Sequence, residues 1–239
     1  MRFRIVFACL SAVLLLVGAT EAGHAATITQ VIPYSGIPNY TQTLTFDQFD
    51  DLAGTLTLTG IEVTVDFNAA GGQLILDNDA AGPAAGTFEF GAKASLSSPD
   101  VVLLDGASQP VVGNLSAFHT QVFALDANVG DVSNDFDPSA PDGLAYNGIA
   151  QNDFGSGFVA PAHFGAYTGA GTYDVNVGAS QWQDFGGISG IEWAVNPVTT
   201  NGAVTVVYTY VPEPATLSLL AFGGLGMWIR RKRNPATTA

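Results

Sequence analysis

The sequence predicts an all-β fold, a single antiparallel β-sandwich, for the central part of a chain of 239 residues. Apolar and polar residues alternate over several stretches, as they do in strands that bury one of their two faces. Shorter apolar runs are bounded by Gly, Asn, Asp or Pro, which are the residues of tight turns. No long stretch of the sequence shows the 3.6-residue periodicity of an amphipathic helix.

These patterns predict the strands in chain order. Residues 56–67 alternate between apolar and polar types, with a change of phase at Gly60 that indicates a bulge or a bend. Residues 73–76 and 101–104 are short apolar runs, which favour strands buried on both faces. The two-residue alternation recurs in three further stretches, at residues 88–90, 173–177 and 204–210.

Residues 1–25 have the pattern of a secretory signal peptide. Arg2 and Arg4 precede an apolar stretch, and small residues then lead to an expected cleavage site after Ala25. This segment is expected to be removed on export and to lie outside the fold. Its Cys9 is the only cysteine in the sequence, so we expect no disulfide, cysteine nucleophile or cysteine metal site in the exported part.

Residues 212–239 form a tail with a composition of its own. A Pro-Glu-Pro triplet precedes an apolar run at residues 215–229, and four consecutive cations follow that run. As a helix the run would be about 22 Å long, which is shorter than the ~30 Å core of a bilayer. Proline cannot continue a central strand, so the domain of residues 26–211 is expected to end at the triplet. The marker residues of the tail are Pro212, Glu213, Pro214, Arg230, Arg231, Lys232 and Arg233.

The tail closely resembles the PEP-CTERM sorting signal, which an exosortase recognises. The resemblance implies that the protein is exported through the inner membrane, held there briefly by the tail, and cut near the triplet. The four cations are expected to stay on the cytoplasmic side. An ordinary C-terminal membrane anchor is the alternative interpretation. In either case the tail indicates a location and says little about an activity.

The region between the two terminal segments is strongly acidic. Lys93 is its only Lys or Arg, because the other six of the seven basic residues lie in the terminal segments. Of the 21 acidic residues, only Glu21 and Glu213 lie outside residues 26–211, so this region carries 19 acidic residues against one basic one, a net charge of −18. Binding to nucleic acid requires Lys and Arg, and this composition excludes it. Cations, above all calcium, are the natural counter-ions of such a surface.

A second resemblance covers most of this acidic region. Residues 40–50 and 52–56 resemble the opening of the choice-of-anchor E domain, which is found in proteins that end in a PEP-CTERM tail or another anchor. Residues 131–136 and 141–143 are similar to the Asp- and Gly-rich middle segment of that family, and residues 202–210 are similar to its final strand. The resemblance implies export and surface display, and it implies no catalytic residues.

The region also lacks the sequence motifs of common enzymes. His119 and His163 are its only histidines, too few for a three-histidine zinc site and outside any His-Glu-x-x-His motif. The sequence has no Gly-x-Ser-x-Gly elbow and no phosphate-binding glycine loop. We therefore expect a protein without enzymatic activity.

Two acidic clusters are candidate calcium sites, because calcium prefers several carboxylate and carbonyl oxygens from flexible loops. The first cluster comprises Asp77, Asn78 and Asp79. Neither cluster has the spacing of an EF-hand loop. The alternative interpretation is that Asp and Asn are simply turn formers that keep a secreted surface soluble. The second cluster comprises Asp131, Asn134, Asp135, Asp137 and Asp142.

Two tryptophans, Trp182 and Trp193, are candidates for carbohydrate contact, because sugar rings stack on aromatic faces. Glu192 is next to Trp193, and a pair of carboxylates could also indicate a glycoside hydrolase. The only other glutamates of the region, Glu62 and Glu89, lie in predicted strands and are expected to face solvent. The alternative interpretation is that both tryptophans belong to the core or to strand edges.

These features together predict an exported, non-enzymatic protein of the cell surface or extracellular matrix, associated with exopolysaccharide or biofilm. The alternative is a carbohydrate-binding module, with or without calcium, and a secreted glycoside hydrolase is a further one. The expected partners are an exosortase, the secretion machinery and extracellular polysaccharide.

Overall fold

The computed structural model describes residues 24–128 and 136–213, and these form an all-β structure with antiparallel sheets. The predicted fold class is confirmed at this level. One short helix, α1 (Phe164–Tyr167), follows a 3₁₀ turn at Pro161–His163 in this part of the chain. None of the described residues belongs to a helix long and apolar enough to cross a bilayer. Most of the predicted signal peptide and the tail beyond Glu213 lie outside the described residues.

The described ranges contain eleven strands in three sheets. The first sheet has the order β1-β11-β3-β8, the second β2-β9-β5-β6 and the third β10-β4-β7. The bounds of the strands are β1 (Ala26–Gly36), β2 (Tyr40–Asp47), β3 (Leu56–Ala70), β4 (Gln73–Asn78), β5 (Ala84–Ser97), β6 (Leu115–Leu125), β7 (Gly143–Asn147), β8 (Gln151–Phe158), β9 (Thr172–Asp184), β10 (Ile191–Asn196) and β11 (Thr199–Pro212).

The alternating stretches of the sequence are strands that bury their apolar face, as predicted. In β3 the residues Ile61, Val63, Val65 and Phe67 are at most 1% exposed, whereas the polar residues between them are half-buried or exposed. The same alternation is present in β5, β9 and β11. The apolar run at residues 73–76 is part of β4, the central strand of the third sheet.

The prediction of a strand at residues 101–104 is wrong. Side chains on both sides of this run bond to the local backbone, and this competes with strand pairing. Ser98 Oγ accepts the N–H of Val101 at 3.1 Å, and Asp105 Oδ1 accepts the N–H of Gln109 at 2.8 Å. The run therefore forms part of a turn-rich loop in which the only ladder-type contact is one isolated bridge.

β8 is an edge strand whose inward face carries glycine. A Cβ atom on Gly155 would lie 2.6 Å from Val112 Cγ1, and one on Gly157 would collide with the backbone oxygen of Val111. Glycine at these two positions lets the loop of residues 111–112 pack directly on the strand backbone.

Aromatic side chains of the first and second sheets meet in the core. The Tyr208 hydroxyl of β11 donates to the carbonyl of Asp47 at 3.0 Å, and it lies 2.8 Å from the Tyr173 hydroxyl of β9. Because Tyr208 has a single hydroxyl proton, Tyr173 must be the donor in the second bond. Phe46 stacks on Tyr173 with ring centroids 5.8 Å apart, and Phe49 packs against Tyr208 at 5.9 Å.

Burial perturbs the phenols of this core. It raises the pKa of Tyr208 to about 12, although the hydrogen bond from Tyr173 acts in the opposite direction. Burial also raises the pKa of Tyr173 and of Tyr167, and the neighbouring Tyr208 adds to both shifts. The Tyr167 hydroxyl donates to the carbonyl of Val102 at 2.9 Å. All three phenols are therefore held in their neutral form.

The described residues divide into two compact units. The larger comprises the described residues within 28–49 and 60–208, and it contains the aromatic core. The smaller comprises the described residues 24–27, 50–59 and 209–213.

The tyrosine pKa values predict that the protein loses stability in alkaline solution. An unfolded tyrosine ionises near pH ~10, whereas the folded protein keeps Tyr167, Tyr173 and Tyr208 neutral to higher pH. Above pH ~10 the unfolded chain therefore binds fewer protons, and the free energy of unfolding falls as the pH rises. Below that pH the contribution is fully present.

Urea unfolding measured from about pH 8 to about pH 11.5 checks this expectation. Tyr173→Phe should make the alkaline decline shallower, because that position then has no phenol to ionise. A free energy of unfolding that stays constant across this range would contradict the prediction.

Candidate functional site

The first two residues of the sorting triplet belong to the smaller unit. β11 ends at Pro212, as expected for a residue that cannot continue a central strand. The next residue, Glu213, donates its N–H to the carbonyl of Thr55 at 2.9 Å. Pro214 and the basic residues 230–233 lie outside the described residues.

The loop that holds Glu213 is fixed by its own backbone. The carbonyl of Asp51 accepts three N–H groups at 3.0 to 3.1 Å, among them that of Thr55. Asp50 Oδ1 accepts the N–H of Leu52 at 2.9 Å. These bonds hold the Thr55 carbonyl in place, and this carbonyl in turn accepts the N–H of Glu213 in the triplet.

Trp182 is half-buried on the face of the second sheet that carries Lys93. Its indole N–H donates to Glu89 Oε2 at 2.8 Å, so Glu89 is bonded to the indole and half-buried. The Lys93 ammonium lies 3.0 Å from the centroid of the Trp182 ring. The centroids of the Phe118 and Trp182 rings are 6.4 Å apart. One face of the indole is occupied by Lys93, and contact of Trp182 with carbohydrate stays a prediction.

Trp193 lies in the third sheet and is more open to solvent. It pairs with Leu76 across β10 and β4, is 48% exposed, and has its ring 5.4 Å from that of Phe185. Its neighbour Glu192 is also exposed. Trp182 and Trp193 are thus placed on different sheets with different neighbours, and carbohydrate contact at Trp193 stays a prediction as well.

Members of the two acidic clusters come together at the end of β4. The N–H of Asp137 donates to Asp77 Oδ2 at 2.8 Å, and the N–H of Asn78 donates to the carbonyl of Asp142 at 3.1 Å. Asp77, Asn78 and Asp142 are 1%, 0% and 5% exposed. Hydrogen bonds from the side chain and the backbone of Ser139 lower the pKa of Asp137. These contacts join the loop of the second cluster to the strand that carries the first.

The structure leaves calcium binding at the second cluster as a prediction. Asp131, Asn134 and Asp135 lie outside the described residues. Among the residues that are described, no group of three or more His, Cys, Asp or Glu is close enough together to hold a metal ion. Asp79 of the first cluster accepts a hydrogen bond from the Asn128 amide at 3.4 Å.

Two polar clefts lie in the larger unit, and the sequence indicated neither. A cleft of about 580 Å³ lies beside Lys93 on the second sheet. A cleft of about 630 Å³ lies on the first sheet, and we call it the sheet-one cleft. Its residues come from strands that are distant in sequence, so no local motif marks it. Side chains that line the sheet-one cleft include Gln42, Asp66, Asn68, Asn152, Phe154 and Asn201.

Comparison with known families supports the interpretation of the tail. Residues 211–233 match the PEP-CTERM protein-sorting motif, as predicted from the triplet, the apolar run and the cations. The motif indicates an exported protein that is transiently anchored in the membrane and has an exosortase as its processing partner. No curated protein matches the chain.

Solved structures give only remote similarities. The chain is similar to the structure of infectious bursal disease virus Gx strain at 12% identity and a TM-score of 0.16, over 83% of this chain and 44% of that chain. It is similar to the infectious bursal disease virus VP2 subviral particle at 12% identity and a TM-score of 0.18, over 81% of this chain and 42% of that chain. The chain spans less than half the length of these viral chains, and such TM-scores carry no argument about fold or function.

The contact between Lys93 and Trp182 predicts a stability effect. Lys93→Met should lower the free energy of unfolding by about 0.5–1 kcal/mol, because it removes the cation from a partly exposed aromatic face. Urea denaturation measures the change. Lys93→Arg is the matched control, since a guanidinium also stacks on an indole, and it should keep most of the stability. A Lys93→Met variant as stable as the parent would contradict the prediction.

The calcium hypothesis makes a separate prediction. Calcium chloride should raise the melting temperature of the protein, and Asp137→Asn should reduce this rise because it removes one ligand charge. Asp51→Asn makes the same change of charge outside the acidic clusters and should leave the rise intact. Calorimetry with calcium and with chelator measures both effects. An unchanged melting temperature, or equal effects of the two variants, would refute calcium binding at this loop.

Proposed function

We propose that this chain is an exported, non-enzymatic protein of the cell surface or extracellular matrix, sorted and processed by an exosortase. Residues 1–25 would be removed as a signal peptide and the tail at 212–239 would be cut near Pro212. The exported part, residues 26–211, would be a single antiparallel β-sandwich of the choice-of-anchor E kind. The observation that carries the proposal is the PEP-CTERM motif at residues 211–233, which begins where β11 ends.

The role of the exported domain is proposed to be association with exopolysaccharide or biofilm. Its composition supports a binding role over catalysis, since the sequence supplies no recognisable nucleophile–base pair or zinc motif. The acidic surface also disfavours anionic partners, which leaves neutral and cationic ones. A carbohydrate-binding module is the second candidate function, and the exposed Trp193 ring favours it.

The sorting part of the proposal predicts a dependence on the triplet. In a host that has an exosortase, most of the protein should leave the membrane fraction with a shortened C-terminus. The double variant Pro212→Ala, Pro214→Ala should stay in the membrane fraction with its tail intact, because the recognition triplet is lost. Fractionation followed by mass spectrometry of the C-terminal peptide measures both outcomes.

Two controls make this experiment specific. Pro99→Ala removes an exposed proline outside the motif and should be processed normally. A strain without exosortase should retain the parent protein uncut. Equal processing with and without exosortase, or an uncut soluble protein in the cytosol, would overturn the proposed function.

A further inference from the structure

The sheet-one cleft combines groups that are suited to one chemical class of ligand. It has a volume of about 630 Å³ and lies across the strands of the first sheet. Phe154 of β8 is opposite Asp66 of β3, and Asn152 is opposite Asn68, in the antiparallel register. Directly opposed residues have Cβ atoms about 4.5–5.5 Å apart. A phenyl ring, a carboxylate and two amides are therefore adjacent on this face.

A third amide extends this row onto the next strand. Asn201 of β11 accepts hydrogen bonds from the Asn68 amide at its backbone oxygen, 3.3 Å away, and at Oδ1, 3.4 Å away. Asn68 is thus oriented by its neighbour. The Asn152 side chain and the Asp66 carboxylate make no hydrogen bond to any described residue. They remain available to a ligand in the cleft.

Asp153 in the same cleft has a different role. Its Oδ2 accepts the N–H of Ser116 at 2.7 Å, and its Oδ1 accepts its neighbour's N–H, that of Phe154, at 2.8 Å. Both oxygens bond to backbone, so Asp153 anchors β8 beside β6. The Tyr34 hydroxyl of β1 donates to the carbonyl of Asp66 in β3 at 2.7 Å. The cleft is therefore built on strands whose backbones are fixed on both sides.

The side chain of Phe154 is largely exposed to solvent. Its side chain is 57% exposed at the edge of a cleft whose other lining residues are mostly polar. An exposed phenyl ring beside hydrogen-bonding groups can pack on the apolar face of a ring while amides and a carboxylate bond to the hydroxyl groups at its rim. This arrangement suits a ligand that is apolar on its faces and rich in hydroxyl groups at its edges.

The charge of the cleft further restricts the chemical class of ligand that it can bind. None of its lining residues is Lys, Arg or His, and the Asp66 carboxylate lies among them. A sulfated or carboxylated sugar would meet repulsion with no cation to offset it. We propose that the sheet-one cleft is a binding site for a neutral polysaccharide, with Phe154 as the stacking surface and Asp66, Asn68 and Asn152 as hydrogen-bond partners. This deepens the proposed association with polysaccharide, and it rests on that part of the proposed function.

Affinity gel electrophoresis of the exported, processed protein tests the site. The neutral probes are dextran, galactomannan and xyloglucan, and the anionic probes are alginate and polygalacturonate. The protein should be retarded by at least one neutral probe and by neither anionic one. Phe154→Ala should weaken this binding about tenfold, and Asp66→Asn or Asn152→Ala about three- to tenfold, from the lost packing and hydrogen bonds.

Phe158→Ala is the matched control, because Phe158 is on the same strand, is 64% exposed and does not line the cleft. It should leave binding within about twofold of the parent. Urea midpoints of all variants check that they remain folded. The proposal is overturned by binding to no neutral probe, by equal losses from Phe154→Ala and Phe158→Ala, or by a loss with Trp193→Ala in place of Phe154→Ala.

Failure of the proposed polysaccharide site and failure of the proposed sorting give different experimental results. A protein that is cut by exosortase but ignores neutral polysaccharide refutes the cleft and leaves sorting intact. A protein that binds through Phe154 but keeps its tail uncut refutes the sorting and leaves the cleft intact.

Discussion

The hydrogen bonds of Tyr208 join three parts of the chain that are far apart in sequence. Tyr173 of β9 donates to the Tyr208 hydroxyl, and Tyr208 of β11 donates to the carbonyl of Asp47 at the end of β2. The two tyrosine hydroxyls bond to each other in the buried core and the bond to Asp47 is part-buried, and a buried hydroxyl that loses its partner costs about 1–3 kcal/mol. The first and second sheets are therefore held in one arrangement by groups that satisfy one another. This matters in a region whose sequence offers no cysteine for a disulfide.

The sorting motif and the outer faces of the sheets are formed by different residues. β11 ends at Pro212 and the sorting motif spans residues 211–233, so the motif begins at the end of the last strand of the described residues. The outer faces of the sheets remain free to differ in chemistry. The second sheet carries Lys93 against Trp182, whereas the first presents amides, carboxylates and a phenyl ring.

Sequence alternation identified those strands that bury one face with large apolar side chains. β3 and β9 are examples, since most of their inward residues are branched or aromatic. β8 had no such signal, because its inward positions include Gly155 and Gly157 and its large residues point outward. The strand prediction at residues 101–104 was wrong because it rested on the apolar character of this run alone. The side chains of Ser98 and Asp105 bond to the local backbone and hold the run in a loop.

The candidate sites also differ in how the sequence encodes them: one is a contiguous motif, and the others depend on contacts between residues that are distant in sequence. The sorting motif is contiguous, so its order of proline, apolar and basic residues could be read directly. The sheet-one cleft depends on the register of β3 with β8 and on the position of β11, which no short motif encodes. The pairing of Asp77 with the loop at Asp137 is likewise a contact over a long separation in sequence. Sequence reasoning therefore found the residue types of the two acidic clusters but treated them as separate.

The position of Lys93 has a consequence for the resistance of the folded protein to proteolysis. Trypsin-like proteases cut after Lys or Arg, and residues 26–211 offer them this one site. It lies in β5, which is flanked by hydrogen-bonded strands on both sides, with its ammonium covering an indole ring. A protease of this class needs an extended, accessible segment, so it would have to pull apart the second sheet before it could cut. The only site for trypsin-like cleavage in residues 26–211 is thus protected by the sheet, and we expect the folded protein to resist proteases of this class.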